Sequence, residues 1–147
     1  MPHFTLTHGP LGPLIHAYVG VSAPRQGALI KAGISIPPPV VVKALVDTGS
    51  SHTVVDPIIL NSLGLSPKRI AQTITPTTGA APHKCYTYDV SLHVPLGAAT
   101  SVFSKVAWEV TSLDLKHQGF EMLLGRDYLK EGILFYDGKS GMFTMAF

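Results

Sequence analysis

Cysteine is nearly absent: Cys85 is the single one, so no disulfide within the chain and no cysteine-rich zinc module is available. Charge is also scarce. Charged residues make up 14% of the chain, and 11 Lys/Arg against 9 Asp/Glu leave a formal charge of +2. That excess is far too small for a protein held to nucleic acid by its charge, and no nucleic-acid partner is expected. No apolar run approaches the ~20 residues of a membrane helix, so no membrane span is expected. The start, Met1-Pro2-His3-Phe4, lacks the basic and apolar regions of a secretory leader. Together with one cysteine, this places the expectation in a reducing, cytoplasmic compartment.

What is plentiful is punctuation. Twelve prolines and 14 glycines break 147 residues into short runs rich in Val, Ile, Thr, Tyr and Phe, the composition of an all-β domain. The length suits one domain spanning 1–147, with residues 1–14 read as an N-terminal extension or a dimer-interface strand. Strands are expected over 15–22, 30–36, 40–46, 53–55, 70–75, 86–94, 101–110, 122–124, 133–136 and 142–147. Asp137-Gly138-Lys139-Ser140-Gly141 reads as the turn of a closing hairpin. Helix has two homes: one follows the cap Asp56-Pro57 and stops at Gly64, the other covers 126–131. No internal repeat is visible.

The segment that carries chemistry is Ala44-Leu45-Val46-Asp47-Thr48-Gly49-Ser50. An apolar strand delivers a carboxylate directly into a turn of small residues. Such an acid is costly at a strand end unless it is hydrogen-bonded, and the small residues let backbone N–H groups reach it. Downstream, Met122-Leu123-Leu124-Gly125-Arg126-Asp127 places two apolar residues and a glycine before the second helix. The two segments resemble the hallmarks of the retropepsin-like (retroviral-type) aspartic proteases, and the order of strands, motif, hairpin, strands and helix resembles theirs from Leu14 to Phe147. The added length before Ile15 and around 37–39 points to a non-viral member. The resemblance implies a closed, barrel-like acid-protease fold with one or two short helices and a flap hairpin.

It also implies a homodimer. Aspartic-protease chemistry needs two carboxylates sharing one proton, and the chain holds a single Asp-Thr-Gly, so the second Asp47 comes from a second copy. By resemblance Asp47 is catalytic, Thr48 hydrogen-bonds across the dyad, Gly49 lets the carboxylates approach, and Ser50 hydrogen-bonds the outer carboxylate oxygen. Leu124, Gly125 and Arg126 support the site. The flap is placed between the strands at 70–75 and 86–94, with Thr77, Thr78, Gly79 and Ala80 at its tip over a peptide substrate. No cofactor and no metal are implied, and mildly acidic pH is expected to suit the shared proton. The sequence departs from viral members at Ser51-His52, where they carry acidic residues that pair with the Arg of the Gly-Arg motif, so Arg126 is left to pair with Asp127, Asp56 or nothing.

Plainer readings stand beside these. An aspartate like Asp47, taken in isolation, is more commonly an N-cap or turn residue of an ordinary β-protein. Arg126-Asp127 reads as a helix N-terminal cap with a solvated charge as readily as a structural ion pair under the active-site loop. Seven histidines show no ligand spacing. Cys85 has no histidine partner pattern and reads as a small hydrophobe. Ser50-Ser51-His52 superficially suggests a Ser–His hydrolase, a weak reading because adjacent residues on a strand point to opposite faces. Two rivals to an endopeptidase remain: a dimeric peptide-binding or scaffolding module on the same fold, and an unrelated β-barrel with a chance motif.

Overall fold

The computed structural model describes residues 1–75, 79–97 and 100–147. Within them the order is β1 (His3–Thr7), β2 (Leu14–Val21), α1 (Ala23–Lys31), β3 (Val40–Val46), β4 (Val54–Val55), α2 (Pro57–Ser62), β5 (Arg69–Thr73), β6 (His83–Pro95), β7 (Val102–Ser112), β8 (Met122–Leu124), α3 (Arg126–Leu129), β9 (Ile133–Asp137) and β10 (Met142–Ala146).

Strand alternation builds the barrel. In β2, Ile15, Ala17, Val19 and Val21 are buried while His16 and Tyr18 face out; in β3, Val42, Ala44 and Val46 are buried while Val41 and Lys43 face out. Strands run in the order β2-β3-β8-β4-β7-β6, and β6 pairs back onto β2, closing a six-stranded barrel with β5 added outside β6. Closure removes the open edges that a six-stranded sheet would otherwise expose. The pairs β3–β8 and β4–β7 are parallel and the other barrel pairs antiparallel. The interior holds Val19, Val42, Val55, Val90, Leu92, Met122 and Leu124, all fully buried. Each such side chain contributes ~1.5–3 kcal/mol relative to exposure.

A second sheet, β1-β10-β9, lies against the barrel through Phe143 and Met145. The expected closing hairpin is present: Asp137 Oδ1 accepts the Lys139 and Ser140 N–H groups, and Gly141 takes φ +72°. Residues 3–7 pair with the chain's own β10. Tyr128, on α3, is fully buried, and its hydroxyl donates to the Phe103 carbonyl at 3.0 Å.

One expected strand is overturned. Residues 30–36 do not form a strand; residues 23–31 form α1 instead, and residues 34–39 belong to no helix or strand. Ser22 and a first-turn proline start α1, and Gly33 at φ +68° ends it, with the Ile34 N–H donating to the Leu29 carbonyl. The β-branched Ile30, Ile34 and Ile36 suggested strand, but all three side chains are exposed, so no sheet gains by pairing them. The helix after Asp56 forms as expected, with Asp56 Oδ1 capping the Ile58 N–H. The second helix is shorter than expected, ending at Leu129. No helix among the described residues is long and apolar enough to cross a membrane.

Candidate active site

Asp47 follows the last residue of β3, and its position is set by the strand beside it. The Asp47 N–H donates to the Leu124 carbonyl at 3.0 Å, extending the parallel β3–β8 pairing by one bond. The chain then turns, and the Gly49 N–H donates to Asp47 Oδ1 at 2.8 Å. One carboxylate oxygen is thereby fixed while the side chain stays only partly buried, at the mouth of a cleft of about 420 Å³.

The loop carrying Asp47 and the turn after β8 are bolted together. The Arg126 N–H donates to the Ser50 carbonyl at 2.9 Å, and the Gly125 N–H donates to Thr53 Oγ1 at 3.3 Å. Thr53 Oγ1 in turn donates to Asp127 Oδ1 at 2.8 Å, an oxygen that also accepts the Tyr128 N–H at 3.0 Å. Gly125 is buried where any side chain would collide: a Cβ there would lie 2.5 Å from the carbonyl carbon and oxygen of His52. The glycine is required by this close approach of two backbones.

Asp47, Thr48, Gly49, Ser50, Leu124, Gly125 and Arg126 therefore come together in space. Several do so differently from expectation. The Ser50 hydroxyl donates to the His52 carbonyl at 2.6 Å rather than to Asp47. Leu124 takes part through its carbonyl, its side chain being fully buried in the barrel, and the neighbouring Leu123 faces the cleft. Arg126 pairs with neither Asp127 nor Asp56; its Nη1 donates to the Thr48 carbonyl at 3.1 Å, so the cation braces the turn through backbone. Thr48 itself is exposed.

One side of the cleft is formed by the β5–β6 hairpin, paired from Arg69↔Thr87 to Thr73↔His83. Its Gln72, Thr73, Ile74 and Thr75 line the cleft. Of the expected tip, Gly79 and Ala80 are exposed turn residues, Gly79 at φ +60°, and Thr77 and Thr78 lie outside the described residues. The base of the same hairpin and the adjoining β7 add cleft-lining residues that sequence reasoning did not single out: Arg69, Thr87, Glu109 and Thr111. They are scattered across three strands, and only the strand register brings them together.

Two carboxylates line the cleft, Asp47 and Glu109. Glu109 is already committed: it pairs with Arg69 and lies 3.5 Å from Lys68 Nζ. The Arg69 hydrogen bond holds its carboxyl below the usual range. Asp47 has no such partner among the described residues. No group of three or more His, Cys, Asp or Glu is placed to share a metal ion among those residues.

A family model for aspartyl proteases matches residues 39–128, more than half of the chain. The chain belongs to the aspartyl protease family. Matched residues run from the start of β3 through Asp47 to Tyr128, so both hallmark segments fall inside. The crystal structure of a retropepsin-like aspartic protease from Rickettsia conorii superposes with a TM-score of 0.58 over 97% of this chain and 89% of that one, at 16% identity. The family's retropepsin-like fold is thus present as a closed barrel, in a form shared with a bacterial member. The retroviral protease-like domain of Ddi1 from Leishmania major aligns with a TM-score of 0.40 at 12% identity, covering 86% of this chain and 82% of that chain. No curated protein sequence matches the chain significantly.

Proposed function

We propose that the protein is an aspartic endopeptidase, active as a homodimer, that hydrolyses peptide bonds between two Asp47 carboxylates, one from each copy. The observation that carries this reading is Asp47 itself: a carboxylate fixed by the Gly49 N–H in a hairpin-lined cleft whose other carboxylate is already paired. A reaction that needs two acids sharing a proton must draw the second from another copy. The exposed turn at Thr48 and Gly49 suits an isologous contact about a twofold axis.

In the reaction, one ionised carboxylate takes a proton from water as the oxygen attacks the scissile carbonyl. The partner carboxyl, protonated, donates to the carbonyl oxygen and stabilises the charge that develops there. The tetrahedral intermediate then collapses, the C–N bond breaks, and a proton passes from the dyad to the departing amine. Water is the only co-reactant. The β5–β6 hairpin holds the peptide extended and excludes bulk water. Gly125 and Arg126 keep the two Asp47 turns rigid enough for the carboxylates to stay in register.

The test is digestion of a diverse peptide mixture by wild type and Asp47→Asn in parallel, from acid to neutral pH, with products read by mass. Cleavage by wild type alone, with a dimer mass in sedimentation, is the expected result. Equal cleavage by both proteins would refute the mechanism. Peptide binding by both with cleavage by neither would make the fold a binding module instead.

A further inference from the structure

Beyond Asp47 the cleft has a second polar centre that the proposed hydrolysis does not use. Strand register aligns Leu123 on β8, Val54 on β4, Thr111 on β7, Thr87 on β6 and Arg69 on β5 in one row. Directly paired residues share a face, and all five line the cleft. Along this row the wall changes from apolar near Asp47, through two hydroxyls, to charge.

Thr87 is the anomaly in the row. It is 3% exposed, yet its Oγ1 has no hydrogen-bond partner among the described residues. A buried hydroxyl without a partner is disfavoured and invites one from outside. Around it lie Arg69, whose Nε donates to Glu109 Oε2 at 3.3 Å, and Lys68, whose Nζ lies 3.0 Å from Asp89 and 3.5 Å from Glu109. Two cations and two carboxylates cancel, so the site offers donors and acceptors without net charge.

We propose that this end of the cleft is a specificity subsite for an uncharged carboxamide side chain of the peptide, glutamine or asparagine, selected by Thr87. The inference rests on the peptide-cleaving reading above. A carboxamide presents both a donor and an acceptor, matching the hydroxyl and the Arg69–Glu109 pair together. Arg69 and Glu109, the charged residues lining the cleft beside Thr87, are already paired with each other, so a charged side chain would find no free counter-charge there. An aliphatic one would seal Thr87 in without a partner. Three interstrand steps from Leu123 to Thr87 span ~14 Å, the length of about four residues of extended peptide. The selected residue therefore lies about four positions from the cleaved bond. In a twofold dimer it is selected on either side.

The experiment profiles cleavage sites in a peptide library, then compares single peptides carrying Gln, Asn, Leu, Glu or Lys at the selected position. Wild type should favour Gln or Asn by about tenfold or more in kcat/KM, the scale of leaving a buried polar group unpaired. Thr87→Val should lose that preference, with the Leu peptide's kcat/KM rising relative to the Gln and Asn peptides, and Thr87→Ser should keep it. Because it removes an orphaned hydroxyl, Thr87→Val should also raise the unfolding midpoint, which a hydroxyl with a structural partner would not do. Preference for Leu, Glu or Lys, indifference among the five, or an unaltered profile in Thr87→Val would overturn the inference. If Thr87→Val fails to fold, the wild-type series decides. Binding of the same labelled peptides to Asp47→Asn separates the two readings. Carboxamide-selective binding without any cleavage by wild type sinks the hydrolytic reading and supports the subsite, cleavage without the preference sinks only the subsite, and neither binding nor cleavage sinks both.

Discussion

Gly125→Ala adds one methyl group at the point where the Asp47 loop and the turn after β8 meet. At φ −86° the backbone there suits any residue, so the cost comes from space alone. The new Cβ would lie 2.5 Å from His52 C and O and 2.9 Å from Thr53 N, where ordinary contacts lie at 3.4–4 Å. The segments must part by about 1 Å, and neither yields easily. His52 O is held by Ser50 Oγ, and Thr53 by its bonds to Gly125 and Asp127. Overpacking costs ~1–3 kcal/mol, and the upper end applies when backbone must move. For a chain of this length ~3 kcal/mol corresponds to a Tm lower by ~6–12 °C. Activity should fall further, by ~100-fold, because a shift of this size misplaces the carboxylate. Gly27→Ala is the matched control: it lies inside α1 with nothing within 4 Å of its Cβ, so the same methyl should stabilise by ~0.5–1 kcal/mol. Urea unfolding followed by Trp108 fluorescence, with peptide turnover alongside, measures both. If Gly125→Ala unfolds within 0.5 kcal/mol of wild type and cleaves normally, the reasoning that this glycine is set by backbone approach is wrong.

Two further outcomes test the framework around the site. Asp56 is 7% exposed and accepts from Ile58 N at 2.9 Å and, through its other oxygen, from Leu115 N at 2.9 Å. Asp56→Ala removes a helix cap and orphans a buried N–H, so the urea midpoint should fall by the equivalent of ~2–4 kcal/mol, with Asp56→Asn losing less. Burial pushes the Tyr128 phenol far above its usual range. Its folded value is raised, so stability is unaffected below the unfolded value of ~10 and falls as pH rises beyond it, by up to ~1.4 kcal/mol per pH unit. Tyr128→Phe should lose ~1 kcal/mol at neutral pH with its bond to the Phe103 carbonyl, but unfold with a flatter dependence between pH 9 and 11.

Much of the fold could be read from local pattern. The strands β2 and β3, the Asp56-Pro57 start of α2 and the Asp137–Gly141 turn each express short-range preferences, and each stands as read. The exception is instructive. Residues 30–36 were read as a strand on three isoleucines, and the helix that Pro24 opens and Gly33 closes was not anticipated. Intrinsic strand preference is mostly packing against neighbours, and no neighbouring strand exists there. Similarly, the late Leu-Gly-Arg motif was legible as a string of types. Which leucine faces the cleft, and what Arg126 touches, depended on register against β3 and β4.

The sequence by itself determined the all-β composition and the single Asp-Thr-Gly at the end of an apolar strand, whereas the need for a glycine before α3 came from the fold, which brings His52 and Thr53 against Gly125. The first two are consequences of strand period and the cost of a carboxylate at a strand end, both legible within a few residues. Only the tertiary structure decided that Arg126 braces Thr48 through its carbonyl, that Ser50 turns away from Asp47, and that Thr87 is buried beside Arg69 and Glu109 without a partner. Those relations join residues up to 78 positions apart. They exist because closing a barrel fixes the register of every strand at once, and a side chain's partner is then whatever the neighbouring strand presents opposite it.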